Sequence, residues 1–370
     1  MTIDYENRKD KLFNQLGDET IDLVLITDPS NIYYMTGFYA HPHERYMSLI
    51  IDRENKETFL FLPALDREIA AATAKVDNII PISDEEDPFS IIKNNIKNVV
   101  GTIGIEMNVV TVSHQNGLLA SFPSVDFINI QPHINKLRTI KSREEINGLK
   151  EAVNIIEKVL DEGLKTIKEG MTEAELVAEF EYLMKKFGAA GPSFSTMVLA
   201  GEKAALPHGS PGDKKLQNGD FLLIDFGVIT RDRYCSDITR TFIIGEATDK
   251  QKEIYDIVKA STQAGVDAVK AGVPLKEFDI AARNVIEKSG YGDYFNNRVG
   301  HGLGIEVHEA PSIHHLNEDP AEKGMLFTIE PGIYIPGYGG VRIEEEVYID
   351  ENGEAEVLTN YPRDLKIIEI

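Results

Sequence analysis

Carboxylates stand at the edges of apolar, strand-like runs in this chain, where such groups are seldom found. Phe221-Leu-Leu-Ile224 runs into Asp225, and Asp237 opens Ile238-Thr-Arg-Thr-Phe242. Aspartate is a poor strand former, and a carboxylate is rarely buried unless it is paired or holds a metal. One such residue alone reads as readily as a turn aspartate. The pattern returns, however: Gly219, Asp225 and Gly227 are matched by Gly324, Glu330 and Gly332, each 105 positions on, and Glu344 follows as the counterpart of Asp237. Histidines accompany them, in Pro207-His208, in Gly300-His301-Gly302-Leu-Gly304 and in Val307-His308-Glu309. The flanking glycines let other groups approach the His301 backbone closely. Four carboxylates and one imidazole suit two divalent cations of the manganese, cobalt or zinc type, because oxygen donors favour harder ions and one nitrogen keeps the transition metals open. Two cations about 3.5–4 Å apart can share a hydroxide and polarise a carbonyl, which is hydrolytic chemistry. The chain has no Gly-x-Ser-x-Gly, no phosphate-cradling loop and no cysteine with a plausible partner, which disfavours serine, thiol and nucleotide-hydrolysing mechanisms.

Repeated elements must position these groups. Ser142 and Glu145 form a capping box, followed by an apolar stripe from Ile146 to Ile167 at spacings of three and four. Gly170 ends that helix. Thr172 and Glu175 cap the next, which Gly188 closes. The same helix pair recurs with Thr248 and Gln251 as its opening box, Gly272 matching Gly170 and Gly290 matching Gly188. Each half therefore reads helix, helix, strands and carboxylates, and two such halves face to face would gather the carboxylates in one cleft. Residues 1–133 read as a separate mixed α/β domain, with strands near 23–27, 47–52, 58–62 and 102–106 and helices near 66–74 and 88–97. The linker lies near 134–141, and residues 134–370 form the repeat-bearing domain. The polar loop Tyr39–Arg45 reads as solvated. His114, His133, His314 and His315 read as structural or surface residues.

At 370 residues the chain can bury large cores. Its net charge of −23 argues against nucleic acid and anionic membranes as partners. No apolar run approaches a membrane span and no signal pattern opens the chain, so a cytoplasmic location is expected. A single cysteine, Cys235, excludes an intrachain disulfide and fits a reducing compartment.

The order Asp225, Asp237, His301, Glu330, Glu344 resembles the two-metal pita-bread peptidases: methionine aminopeptidases, aminopeptidase P and prolidase. Asp-Ile-Thr-Arg-Thr, Gly-His-Gly-Leu-Gly, Val-His-Glu, Ile-Glu-Pro-Gly-Ile-Tyr and Gly-Val-Arg-Ile-Glu look like the proline-specific branch. Asn31-Ile-Tyr-Tyr-Met-Thr-Gly-Phe38 resembles a creatinase-type N-terminal domain, so the likeness spans essentially the whole chain. One departure is a turn between Asp225 and Asp237 about one residue longer than usual. The resemblance implies that Asp225 chelates one cation, that Asp237 and Glu344 bridge, and that His301 and Glu330 hold the other cation. It implies that Glu330 shuttles the proton and that His208 and His308 orient the scissile carbonyl. Arg342, a further candidate for the substrate pocket, either lies on the opposite face or pairs with a cleft carboxylate. Tyr334, Arg298, His43 and Arg45 are candidates for the substrate pocket. The implied activity is hydrolysis of Xaa-Pro bonds, with dipeptides ahead of longer peptides, manganese the favoured metal and a homodimer the expected assembly. An Xaa-Pro aminopeptidase is the alternative. A binding module that kept the fold and lost catalysis is a remote one.

Overall fold

Short apolar runs in the first third of the chain form one six-stranded sheet. The structure, a computed structural model, describes residues 3–97 and 100–370. The strands are β1 (Leu23–Ile26), β2 (Ser48–Asp52), β3 (Thr58–Pro63), β4 (Asn78–Ile82), β5 (Thr102–Ile105) and β6 (Asp126–Asn129), in the order β4-β3-β2-β1-β5-β6. The hairpin expected between β2 and β3 is antiparallel, and β5 and β6 add to β1 in parallel. Helices at Tyr5–Leu16, Pro29–Thr36, Val112–Ser121 and Gln131–Thr139, and the strands β4 and β6, are absent from the sequence reading, although Asp4, Asp28 before Pro29, and Thr111 cap the first three. Both strands are edges of the sheet. Edge strands bury little, so their alternation is weak, and β4 tolerates Pro81 for the same reason. The sheet, its helices and the segment up to Leu137 make up one compact unit, and Arg138–Ile370 a second. The stretch read as a linker is largely helical, because helix Gln131–Thr139 occupies most of it.

The second unit is built from the repeat. Helices Arg143–Leu164 and Glu173–Lys186 open one half, and Asp249–Asp267 and Lys276–Lys288 open the other. Three of these four starts close as reciprocal capping boxes: Ser142 with Glu145, Thr172 with Glu175, and Thr248 with Gln251. The first helix stops at Leu164, so Ile167 lies beyond it, although Ile167 still packs against the same core. The strands are β7 (Gly191–Pro192), β8 (Met197–Ala200), β9 (Phe221–Phe226), β10 (Val228–Ile229), β11 (Ile238–Ile244), β12 (Gly300–Gly302), β13 (Glu309–Ile313), β14 (Leu326–Ile329), β15 (Gly332–Ile335), β16 (Gly339–Arg342), β17 (Glu345–Ile349), β18 (Ala355–Val357) and β19 (Ile367–Ile368). They form a sheet β19-β11-β9-β8, a sheet β13-β12-β14-β17-β18, and the small pairs β10-β7 and β15-β16. Gly219 (φ 85°) and Gly324 (φ 88°) make the same left-handed turn ahead of β9 and β14, which is why glycine recurs there.

The period of β9 explains where its aspartate goes. Leu222, Ile224 and Phe226 pack under the first helix pair with Ile156, Leu160 and Phe180. Phe221 and Leu223 point the other way, into a core shared with Val258, Phe278, Phe327 and Ile329 of the second half. Side chains alternate along a strand, so Asp225 is on the face turned to the second half. Thr239 of β11 stands opposite it in the antiparallel register. A strand buried on both faces reads as a continuous apolar run, and the one carboxylate within it must find partners between the two halves.

Candidate metal centre

Five strand ends converge. Asp225 sits near the end of β9, Asp237 one residue before β11, His301 within β12, Glu330 one residue past β14, and Glu344 between β16 and β17. His301 is therefore on a short strand and not in a free loop. A Cβ at Gly300 would come within 1.8 Å of the Thr328 carbonyl oxygen, and one at Gly302 within 2.1 Å of the Ala310 carbonyl oxygen. Only glycines let β12 slot between β13 and β14 and carry His301 inward.

Ligand atoms of Asp237, His301 and Glu344 all lie within 4.8 Å of one another. His301 Nε2 stands 3.1 Å from Glu330 Oε1 and 3.8 Å from Asp237 Oδ2. The other ring nitrogen, Nδ1, is 3.1 Å from the Gly302 carbonyl oxygen, which can only accept. A proton on Nδ1 satisfies this contact and leaves Nε2 facing the carboxylates, where it donates to Glu330 when the ring is doubly protonated and can ligate a cation when it is neutral. Two threonines fix the acids. Thr328 Oγ1 donates to Glu330 Oε1 at 3.1 Å and accepts from the His301 amide at 3.1 Å. Thr239 Oγ1 donates to Glu344 Oε2 at 2.9 Å. The Asp237 amide donates to Glu346 Oε1 at 2.8 Å.

Arg342 settles between the two alternatives the sequence left open. It is buried in the cleft, ion-paired to Asp225, with Nε donating to Thr239 Oγ1 at 3.0 Å and Nη1 donating to the Tyr334 hydroxyl at 2.8 Å. Tyr334 and the neighbouring carboxylates hold the guanidinium protonated even though burial opposes its charge. Arg342 and Tyr334 thus spend their polar groups on each other and on the acids beneath the cavity.

The electrostatics ask for more positive charge than one arginine gives. Burial, then the Glu344 and Asp225 charges, push the Asp237 carboxyl well above its usual range. Burial and the Glu330 and Asp225 charges do the same to Glu344. Burial raises Asp225 against the pull of Arg342. Burial also works on Glu330, but its hydrogen bond to His301 and the His301 and Arg342 charges outweigh it and hold that carboxyl low. Asp237 Oδ1 and Glu344 Oε1 are buried with no hydrogen-bond partner. A carboxylate oxygen in that state is costly, and divalent cations would satisfy both atoms. The donor set of oxygens with one imidazole fits such ions.

Above the acids lies a cavity of about 290 Å³, whose lining includes His208, Arg298, His308, Phe194, Met197 and Asn297. His308 stands at its mouth, its ring 4.2 Å from that of His301 and nearly perpendicular to it. Partial desolvation and the His301 and Arg298 charges push its pKa down to about 4, so it is a neutral imidazole near pH 7. His208 is exposed at the rim. Arg298 is exposed too, with Nη1 donating to Ser312 Oγ at 3.0 Å. His43 and Arg45 belong to the N-terminal unit. There Arg45 makes a two-point ion pair with Asp84, at 2.7 and 3.2 Å, and His43 packs on His41. Sequence reasoning missed the threonines and Glu346. Thr239 was in view inside Asp-Ile-Thr-Arg-Thr, but nothing in a single sequence distinguishes a strand threonine from one that orients an acid.

The model of metallopeptidase family M24 matches residues 147–351, and that of the creatinase/prolidase N-terminal domain matches residues 8–140. An uncharacterized peptidase of Staphylococcus aureus (strain USA300) is 40% identical over 353 residues, 95% of this chain and 99% of that protein. The solved Xaa-Pro dipeptidase from Bacillus anthracis superposes with a TM-score of 0.91 at 34% identity, covering 98% of this chain and 100% of that one. The X-Pro aminopeptidase from Thermotoga maritima MSB8 gives 0.87 at 34%, with the same coverage of 98% and 100%. The chain belongs to metallopeptidase family M24, carrying the pita-bread catalytic fold behind a creatinase-type N-terminal domain.

Proposed function

We propose that this chain is an exopeptidase that hydrolyses Xaa-Pro bonds and prefers dipeptides. Asp225, Asp237, His301, Glu330 and Glu344 would hold two divalent cations. The observation that carries the reading is the pair of buried, partnerless oxygens on Asp237 and Glu344 at the floor of a cavity rimmed by histidines and an arginine. Bound cations supply Lewis-acid polarisation of the scissile carbonyl and lower the pKa of water. Glu330, held low by His301 and Arg342, takes a proton from the attacking water and hands it to the proline nitrogen as the C–N bond breaks. His208 and neutral His308 donate to the carbonyl oxygen as it gains charge. Arg298, at the cavity wall, is the cation available to a free substrate carboxylate, and a charge-assisted contact there would favour a dipeptide over a longer chain. Arg342 and Tyr334 also line the cavity, and in this scheme their part is to position Asp225.

We further propose manganese as the resident metal, in keeping with the oxygen-rich donor set, and a homodimer as the assembly. A cytoplasmic location suits a chain whose single cysteine is a buried free thiol. The likeness to an Xaa-Pro dipeptidase and to an X-Pro aminopeptidase bears on the substrate class. It leaves peptide length to experiment: kcat/KM on an Xaa-Pro dipeptide against the same peptide extended by one residue. The dipeptide is expected to be the better substrate. Equal or faster cleavage of the tripeptide would make the enzyme an aminopeptidase.

A further inference from the structure

We propose that Arg283, outside the cavity, is a positioning residue for substrate length, acting through Arg298; this rests on the reading of Arg298 as the carboxylate anchor. Arg298 projects from a loop, residues 295–299, that has no regular structure of its own and runs straight into β12 and His301. An irregular loop beside a cavity needs its backbone groups satisfied from elsewhere. One helix supplies them. Asp279 of helix Lys276–Lys288 is fully buried and holds the Arg283 guanidinium at two points, Nε to Oδ1 at 2.7 Å and Nη2 to Oδ2 at 3.0 Å. Arg283 then donates to two loop carbonyls, Nη1 to Phe295 at 2.9 Å and Nη2 to Asn297 at 2.8 Å. Asp279 Oδ2 accepts from the Val299 amide at 3.1 Å. The guanidinium also lies over the Phe295 ring, 4.1 Å from its centre.

An ion pair four residues apart is an ordinary helix contact. Here it is buried at one end and puts two further donors on loop carbonyls, while Asp279 takes the Val299 amide, so the pair fixes residues on both sides of Arg298. The planar fork of arginine is what reaches the two carbonyls and the carboxylate together. Lysine would keep the ion pair and lose the clamp. Arg298 itself is exposed and holds only Ser312 Oγ among the contacts described, so its aim depends on the backbone beneath it. The carboxylate of a dipeptide needs a cation at a fixed distance from the scissile bond; an extended peptide does not. Loosening the clamp therefore removes dipeptide preference before it removes catalysis.

The test measures kcat and KM on an Xaa-Pro dipeptide and its one-residue extension for wild type, Arg283→Lys, Arg283→Ala, Arg298→Ala and the double variant Arg283→Lys/Arg298→Ala, with metal content determined for each. Arg283→Lys guards against failure of the alanine variant to fold. The expected result is a fall in the dipeptide-to-tripeptide ratio of about tenfold in Arg283→Lys, as sub-ångström misplacement of a binding group produces. It should come through KM for the dipeptide, with kcat on the tripeptide and metal content unchanged. In the Arg298→Ala background the same change should alter the ratio by less than about twofold, since coupled residues are not additive. If Arg298→Ala collapses the ratio and Arg283→Lys does not, the inference is overturned and the anchor stands. If Arg298→Ala leaves the ratio intact, the anchor reading fails and the inference with it. Equal losses on both peptides, or loss of metal in Arg283→Lys, would make the clamp a support of His301 and overturn the specificity role.

Discussion

Glu309→Gln is expected to destabilise the catalytic unit by about 3 kcal/mol at pH 7, far more than most single substitutions. Glu309 follows His308 directly and is buried between two cations. Its Oε1 pairs with Arg138 at 2.5 Å and its Oε2 with Lys141 at 2.7 Å, and its side chain is 4% exposed. Burial alone would raise its pKa, but Arg138 and Lys141 overturn that and carry it from the ordinary 4.5 to about 2. At about 1.4 kcal/mol per tenfold, a drop of that size is worth about 3 kcal/mol, within the cost of breaking a buried pair by removing one partner. The sign follows from a depressed folded pKa. The stabilisation is complete above the unfolded-state value near 4.5 and is lost as pH falls toward 2. Calorimetry of metal-loaded wild type and variant is the assay. The variant should melt about 6–12 °C lower at pH 7, given about 2–4 °C per kcal/mol for a unit of this size. The gap should narrow steadily between pH 4.5 and 2.5. A gap that is absent at pH 7, or that widens on acidification, would refute the charge-pair explanation.

Two further outcomes follow from the site. Glu330→Gln keeps the shape of the side chain and removes the proton carrier, so kcat should fall by at least about a hundredfold while melting temperature changes little. Metal content measured on the same sample separates loss of the carrier from loss of a ligand, and a kcat within tenfold of wild type would exclude the proton-carrier role. Gly300→Ala puts a methyl group 1.8 Å from the Thr328 carbonyl oxygen, which is backbone and cannot swing away. It should cost several kcal/mol and lower metal occupancy, as read by chemical denaturation and metal analysis; wild-type values for both would show that β12 has more room than its packing implies.

Much of this architecture was legible because a repeat states its content twice. Gly219 and Gly324 occupy the same left-handed turn, and the carboxylates that follow them arrive at one cleft. Capping boxes marked helix starts because two reciprocal hydrogen bonds require particular residues three apart. Edge strands β4 and β6 were illegible because they bury too little to alternate. Thr239, Thr328 and the Asp279–Arg283 clamp were illegible for another reason: a threonine or an ion pair gains its role from what lies across space, and Arg342 could not be oriented until Asp225 was seen beneath it. The glycines beside His301 announced close backbone approach. Which atoms approach, the Thr328 and Ala310 carbonyls on either side of β12, needs the neighbours to be known.

The most direct test of the central claim is a titration. The protein is stripped of metal, then hydrolysis of an Xaa-Pro dipeptide is followed as manganese is added, alongside bound metal per chain in wild type and in Asp237→Asn. Activity should be absent at the start, rise with manganese and saturate near two ions per chain, and Asp237→Asn should bind fewer ions and stay inactive. Full hydrolysis by the rigorously metal-free protein, or undiminished manganese binding and activity in Asp237→Asn, would contradict a two-cation centre built on these carboxylates.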